Sequence, residues 1–199
     1  MNRVCSRSTW KEATELKPSK TVEVVRGQYH KFKLIPILEH HARWFEAGPV
    51  TIAVEARALG TSRERMVRGP SIHVFSADRS KEFIRFDLFG REQHYHYILD
   101  DLQHNIVWGY DSDANGPMLD WVISAPRQRL PAMLHEAGAD ELADKVQRES
   151  WDASVLPRVE QVARDADHET DNEPERAREG MEWMYRWKKI HPQFNTVDY

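Results

Sequence analysis

Cysteine is nearly absent from the sequence, since Cys5 is the single example in 199 residues. One cysteine excludes an intrachain disulfide and any zinc cluster built from several thiolates. Long apolar runs are missing as well, because no segment approaches the roughly 18 apolar residues that a membrane-spanning helix requires. The opening segment MNRVCSRSTWKEATELKPSK also lacks the apolar core of a secretory signal. We therefore expect a cytoplasmic protein that does not act in a membrane.

A concentration of positive charge is the next feature that the chain lacks. The net charge is −4, and the lysine and arginine residues are scattered. Because affinity for nucleic acid depends on neutralising many phosphates, this pattern disfavours nucleic acid as a partner. The local exception is GTSRERMVRGP, where Arg63, Arg65 and Arg68 would lie in a loop. These arginines are either solvated or hold an anionic ligand or an acidic protein surface.

The common catalytic signatures are also absent. The sequence contains no glycine-rich phosphate loop, no GxSxG, no HExxH and no CxxC. The segment DSDANG matches the start of a calcium-binding EF-hand loop, but Val122 occupies the twelfth position, where a glutamate is required. We interpret DSDANG as a turn between a strand and a helix.

The first half of the chain has the pattern of strands. Segment 50–58, VTIAVEARA, alternates cleanly, which places Glu55 and Arg57 on the face opposite Ile52 and Val54. The segments SIHVFS, EFIRFDLF, HYHYIL and NIVWGY follow at hairpin spacing, and their connections are too short for a parallel crossover. TVEVVRGQYHKFKLI, residues 21–35, precedes them as a further strand, whereas ILEHHARWFEAG is typical of a loop or helix. We predict an antiparallel meander over about residues 20–110, forming a curved sheet or partial barrel.

The second half has the pattern of helices. Apolar residues recur at helical spacing over about residues 117–166, and Pro126 and Pro131 are expected to break or restart the first helix. The sequence therefore predicts one α+β domain over residues 1–166. Residues 167–199 are predicted to form a polar linker or exposed helical turn, followed by an amphipathic helical or extended C-terminal arm.

Aromatic residues are concentrated in the C-terminal arm. Trp183, Met184, Trp187 and Ile190 fall on one helical face. Because a buried tryptophan removes roughly 150–250 Å² from water, this face is expected to pack against its own domain or another subunit. The arm is thus the reason to consider a homo-oligomer or a subunit of a larger complex.

A hairpin with two histidines supplies the candidate site. In EFIRFDLFGREQHYHYILDD, residues 82–101, His94 and His96 lie two apart on one predicted strand and share a face. A turn at residues 90–93 would pair Asp87 with His96, so that Asp87 joins the two histidines on that face. Tyr95 and Tyr97 would point to the opposite face, into the core.

Two neutral imidazoles and one carboxylate are sufficient ligands for a divalent zinc, iron or manganese ion, with positions left open for water or substrate. His73, on the preceding strand, is the best candidate for a further ligand. Arg85 shares the face of Asp87 and would orient an anionic group of a substrate. The predicted metal ligands are Asp87, His94, His96 and His73, and the predicted catalytic residues are Asp87, His96 and Arg85.

Other interpretations of the hairpin stay open at this point. Asp87 and His96 could form a structural cross-strand pair, or a metal-free pair in which the carboxylate orients a general base. The latter, with the arginine loop on phosphates, would suit a small ribonuclease-like or toxin-like protein. The first hypothesis is a metal-dependent enzyme acting on a small-molecule substrate. The second is a non-catalytic subunit or adaptor that binds a protein partner through its sheet and its tryptophan-rich arm.

Overall fold

The structure is a computed structural model that describes residues 28–30, 34–60, 66–90, 92–100, 104–172 and 174–190. The described residues form one antiparallel sheet in the order β1-β7-β6-β5-β4-β3-β2. The strands are β1 (Gln28–His30), β2 (Ala42–Ala47), β3 (Val50–Leu59), β4 (Val67–Ser76), β5 (Glu82–Asp87), β6 (His94–Asp100) and β7 (His104–Gly109). The meander from β2 to β7 confirms the predicted topology, and the sheet is open, with β1 and β2 at its edges.

Helices occupy the rest of the described chain, which confirms the predicted α+β class. They are α1 (Ser112–Asn115), α2 (Met118–Glu136), α3 (Asp140–Glu149), α4 (Leu156–Asn172) and α5 (Pro174–Ile190), with short 3-10 turns at Glu39–His41 and Ala153–Val155. The turn predicted for DSDANG is the single helical turn α1, which begins where the Asp111 side chain accepts a hydrogen bond from the Ala114 amide. Of the helices described, none is both long enough and apolar enough to cross a bilayer.

The main core lies between one face of the sheet and helices α2, α3 and α4. Strand β3 contributes its even-numbered apolar side chains, as the alternation predicts, and their partners on β4 and β5 continue the same face. Tyr97 is buried in this core and Tyr95 packs against it, as predicted. The core residues of β3 to β6 are Val50, Ile52, Val54, Ala56, Ile72, Val74, Phe83, Ile84, Phe86 and Tyr97.

Two local predictions are wrong. Pro126 and Pro131 both lie inside the single helix α2 rather than breaking it. Each proline removes one helical hydrogen bond, but α2 buries Met118, Leu130 and Leu134 against the sheet, and this packing holds the helix together.

The segment predicted as a loop or helix, ILEHHARWFEAG, has a short 3-10 helix at Glu39–His41, as predicted, but continues as strand β2. Its pairing with β3 runs from Ala42↔Glu55 to Ala47↔Val50, so the two strands are joined by a tight turn. Gly48 has φ +75° in that turn, a conformation that glycine adopts at little cost. The tertiary pairing therefore overrides a weak local pattern. Of the strand predicted at residues 21–35, β1 is present, residues 34 and 35 lie outside any strand, and the remainder falls outside the described residues.

Helix α5 lies on the face of the sheet opposite the main core. Its Met184 and Trp187 are buried in a second apolar cluster with Ile35, Leu59 and Phe89. The predicted burial is confirmed for Trp187, while Trp183 is half-buried and Ile190 is 64% exposed. The polar segment before α5 is helical rather than a linker, because α4 continues to Asn172. The extended arm predicted after Ile190 lies outside the described residues.

Candidate metal centre

The hairpin of β5 and β6 brings the predicted triad together, but in a different register from the one expected. Asp87 pairs with His94, and Arg85 pairs with His96, so the predicted pairing of Asp87 with His96 is wrong by two residues. The chain stays with β4 after Asp87, since the Leu88 amide donates to the Pro70 carbonyl. The connection therefore occupies residues 88–93. A shift of two residues preserves the face, because side chains alternate with period two.

The three side chains converge on one point. Asp87 Oδ2 lies 3.2 Å from His96 Nε2 and 3.4 Å from His94 Nε2. One ligand atom from each residue lies within 4.8 Å of the others. Asp87 and His96 are buried and His94 is partly exposed, so the cluster sits at the border between the sheet and solvent.

Hydrogen bonds on the outer side fix the orientation of both imidazoles. His94 Nδ1 lies 2.6 Å from the backbone carbonyl of Glu92, and a carbonyl can only accept, so Nδ1 carries the proton. His96 Nδ1 lies 3.0 Å from Oδ1 of the buried Asn105 on β7. Ser71 Oγ donates to the other carboxylate oxygen of Asp87. Both Nε2 atoms therefore face Asp87 Oδ2.

The electrostatics of the triad favour an ionised carboxylate and a neutral ring. Burial alone would raise the pKa of Asp87, but the hydrogen bond from His96 and the charges of His94, His96 and Arg85 hold this pKa well below its usual range. Burial lowers the pKa of His96, and this effect exceeds the opposing effect of Asp87. Burial thus favours the neutral form of the His96 ring.

A buried ionic network lies beside the triad on the same face. Arg85 donates from Nε and Nη2 to both oxygens of Glu82, at 2.8 and 2.7 Å, and from Nη1 to the Ile35 carbonyl at 2.9 Å. His73 Nδ1 lies 2.7 Å from Glu82 Oε1, and its Nε2 lies 3.3 Å from Glu55 Oε2. Arg57 Nε donates to the same Glu55 oxygen at 2.9 Å.

A β-bulge makes the network possible. The register between β4 and β5 shifts between Val74↔Ile84 and Phe75↔Glu82, leaving Phe83 without a partner. Simple alternation would place Glu82 on the face opposite Arg85. The extra residue turns Glu82 onto the face of Arg85 instead. The two side chains then form an ion pair, although they are three residues apart on the same strand.

The predicted further ligand, His73, is not brought to the triad. Its contacts are with the carboxylates of Glu82 and Glu55, and it is fully buried. Arg85 is beside the triad as predicted, but three of its donors already have partners. Of the arginine loop, Arg63 and Arg65 lie outside the described residues, and Arg68 is half-buried on β4.

The residues that support the triad were not among the predicted site residues. Glu55 and Arg57 could have been found, because they share the parity of the polar face of β3. Ser71 could also have been found, since it lies two residues before His73. Glu82 could not, because the bulge leaves no sequence signal.

The two buried glutamates, Glu55 and Glu82, both have lowered pKa values. Burial raises the pKa of Glu55, but the charges of Arg57 and His73 and their hydrogen bonds outweigh it, so the pKa is lowered. The pKa of Glu82 is likewise lowered, because Arg85 and His73 outweigh the effect of burial.

Glu55 and Glu82 are expected to make the folded state sensitive to acid. Their folded pKa values lie below the unfolded value, about 4.3 for glutamate, so the unfolded state binds more protons at low pH. Their contribution to stability is complete above the unfolded pKa. It is lost as pH falls from the unfolded pKa through the folded pKa, by up to about 1.4 kcal/mol per pH unit for each carboxyl. Urea unfolding of metal-free protein from about pH 3 to about pH 7 measures the slope. Glu82→Gln should have a shallower slope, and equal slopes would contradict the assignment.

The triad lines a cavity of about 130 Å³. Its polar lining consists of the triad with Arg57, Arg85 and Glu92. The rest of the lining is apolar, and includes Met184 and Trp187 of α5. The triad therefore forms one end of a concave site whose opposite wall is a helix.

A second histidine pair lies in the 3-10 helix before β2. Nε2 of His40 and of His41 lie 3.0 and 2.7 Å from the carboxylate of Glu179 on α5. Burial raises the pKa of Glu179, but hydrogen bonds from the two rings outweigh this effect and lower the pKa. This cluster ties α5 to the turn before β2.

The fold and the site together define an α+β protein whose open antiparallel sheet presents a His–His–Asp cluster at the end of a cavity. The chain belongs to the family described as a domain of unknown function (DUF7700), which matches residues 44–163. The matched range contains Asp87, His94 and His96, together with the buried glutamates and arginines of the network. No curated protein and no solved structure matches the chain.

Proposed function

We propose that the protein binds one divalent metal ion through Asp87, His94 and His96, and that it is a metal-dependent enzyme acting on a small molecule in the adjoining cavity. One observation carries the proposal: both imidazoles direct Nε2 at a single carboxylate oxygen, while hydrogen bonds on the outer side occupy both Nδ1 atoms. Metal-binding histidines commonly have this outer support, because it fixes the tautomer and the ring orientation.

A metal ion accounts for this arrangement better than a structural pair does. If each ring is neutral and carries its proton on Nδ1, two nitrogen lone pairs and a carboxylate oxygen face one another, and all three are acceptors. Protonation would relieve the repulsion, but burial lowers the pKa of His96 and opposes it. A divalent cation is stabilised by all three groups and needs no proton.

The ligand set supports Lewis-acid chemistry. Two histidines and one carboxylate suit zinc, iron or manganese, and leave coordination positions for water and substrate. Such an ion polarises a bound oxygen or lowers the pKa of a bound water. The hydrogen bond from His96, the charges of the two histidines and, least, the charge of Arg85 lower the pKa of Asp87 and favour the carboxylate that a metal requires.

Removing a ligand should abolish metal binding. Purified protein is expected to contain close to one equivalent of metal by elemental analysis, and His94→Ala, His96→Ala and Asp87→Asn should each contain almost none. Ser71→Ala removes only the hydrogen bond to Asp87 and should weaken metal affinity by about 10–100-fold in calorimetric titration.

His135→Ala is the matched control, because His135 forms an exposed pair with Asp140 at 2.7 Å. This variant should keep the metal content of the unchanged protein. The proposal would be wrong if the unchanged protein neither contains nor takes up metal, or if the ligand variants retain it while folded.

A further inference from the structure

We infer that the cavity selects a small, largely apolar monoanion, whose oxyanion group binds the metal and whose hydrocarbon body packs against the wall formed with α5. This inference rests on the proposed function, because the metal supplies the charge that the anion neutralises. The substrate class is an aromatic or branched aliphatic acid, or a molecule that becomes such an anion on binding.

The wall opposite the triad is hydrocarbon. Leu59, Phe89, Met184 and Trp187 line the cavity and belong to the second apolar cluster, and each is at most 8% exposed. Polar substrate groups placed against such a wall would lose their hydrogen bonds to water without replacement. The body of the ligand must therefore be apolar, and the aromatic side chains favour a flat ring.

The charges at the other end of the cavity favour a single negative charge. The two arginines in the lining are already compensated, Arg57 by Glu55 and Arg85 by Glu82. At the buried end of the cavity, the divalent ion and the carboxylate of Asp87 together leave one positive charge, since the exposed carboxylate of Glu92 is screened by solvent. A monoanion neutralises that charge, whereas a dianion would leave a buried excess. The exposed carboxylate of Glu92 also lines the cavity and would repel a second negative group.

The volume is sufficient for about one ring. An apolar cavity of roughly 150 Å³ accommodates a benzene molecule, and this cavity measures about 130 Å³. A longer ligand would have to extend into solvent. The combination of volume, wall and charge points to an anion of about the size of benzoate.

Hydroxamates test the inference, because they bind metals as monoanions and can be made with or without a ring. The full chain is loaded with cobalt(II), and binding is followed by the visible absorption of the ion. Benzohydroxamate should bind at least about tenfold more tightly than acetohydroxamate. Benzoate should bind more tightly than succinate.

Two variants locate the source of the preference. Val67 lines the cavity and is only partly buried, so Val67→Ser should reduce the preference for benzohydroxamate while leaving cobalt content unchanged. Tyr185 is 74% exposed, and Tyr185→Ala should leave both affinities unchanged. Thermal melting checks that each variant is folded.

Equal affinity for the two hydroxamates, or tighter binding of succinate, would overturn the inference while leaving the metal site intact. Cobalt that is not lost in His94→Ala and His96→Ala would instead overturn the proposed function, and the inference with it. The metal content of the histidine variants therefore distinguishes the two failures.

Discussion

Glu82→Gln is expected to lower the free energy of unfolding by about 3–5 kcal/mol. The substitution keeps the shape of the side chain and removes its charge. The buried guanidinium of Arg85 then loses the carboxylate that accepts hydrogen bonds from Nε and Nη2. Arg85 is 1% exposed, so little of the guanidinium can exchange the lost partner for water. Because folded proteins are stable by only about 5–15 kcal/mol, the loss should be visible in any unfolding measurement.

Urea unfolding followed by circular dichroism measures this change. Glu46→Gln is the control, since Glu46 forms an ion pair of 3.7 Å with Arg79 and its side chain is 84% exposed. That variant should change stability by less than about 0.5 kcal/mol. The double variant Glu82→Gln with Arg85→Met should recover part of the loss, because it removes the uncompensated charge as well. A single variant as stable as the control would show that Arg85 has access to solvent.

The face of each strand could be predicted from the sequence, because side chains alternate on a sheet whatever the tertiary context. This periodicity places His94 with His96 and puts Tyr95 and Tyr97 on the opposite face, while the predicted turn at residues 90–93 is needed to bring Asp87 to the histidines. The register of the hairpin could not be predicted, since it depends on the bond from the Leu88 amide to strand β4. The site survives that error because the register is wrong by two residues and not by one.

The network beside the triad depends on a feature without a sequence signature. The bulge at Phe83 determines which way Glu82 points, and the bulge is set by the pairing of β4 with β5. Without it, Glu82 would lie on the core face and Arg85 would lack its carboxylate. The same limitation explains why His73 was predicted as a ligand: its proximity to the hairpin was correct, but its partners were not visible in the sequence.

The burial of α5 could be predicted from its tryptophans, but its position could not. The spacing of Trp183, Met184 and Trp187 indicates an apolar face and does not show what covers it. In the structure the contact is set by a glycine, because α5 crosses β3 where Gly180 faces the backbone of Ala58. A residue without a side chain thus determines where the wall of the cavity lies.

Gly180→Ala should therefore destabilise the protein, although alanine is the better helix former. A Cβ at this position would lie 1.6 Å from the Ala58 carbonyl oxygen and 2.7 Å from its carbon. Strand β3 cannot yield, since it pairs along its length with β4 and packs against α4 on its other face. Helix α5 must move outward instead, and Met184 and Trp187 move with it. We expect a loss of about 1–3 kcal/mol or more, as in other overpacked cores.

Helix propensity alone predicts that Gly180→Ala raises the free energy of unfolding by about 1 kcal/mol. The sign of the measured change therefore shows whether α5 rests on β3. Unfolding in urea measures the stability, and the emission of Trp187 should shift to longer wavelength as the ring becomes exposed. Arg178→Ala, at an exposed position on the same helix, is the control and should be neutral within about 0.5 kcal/mol. Metal content should be unchanged in Gly180→Ala, because the triad lies on β5 and β6, while affinity for benzohydroxamate should fall. A more stable Gly180→Ala variant with unchanged tryptophan emission would show that α5 does not rest on β3.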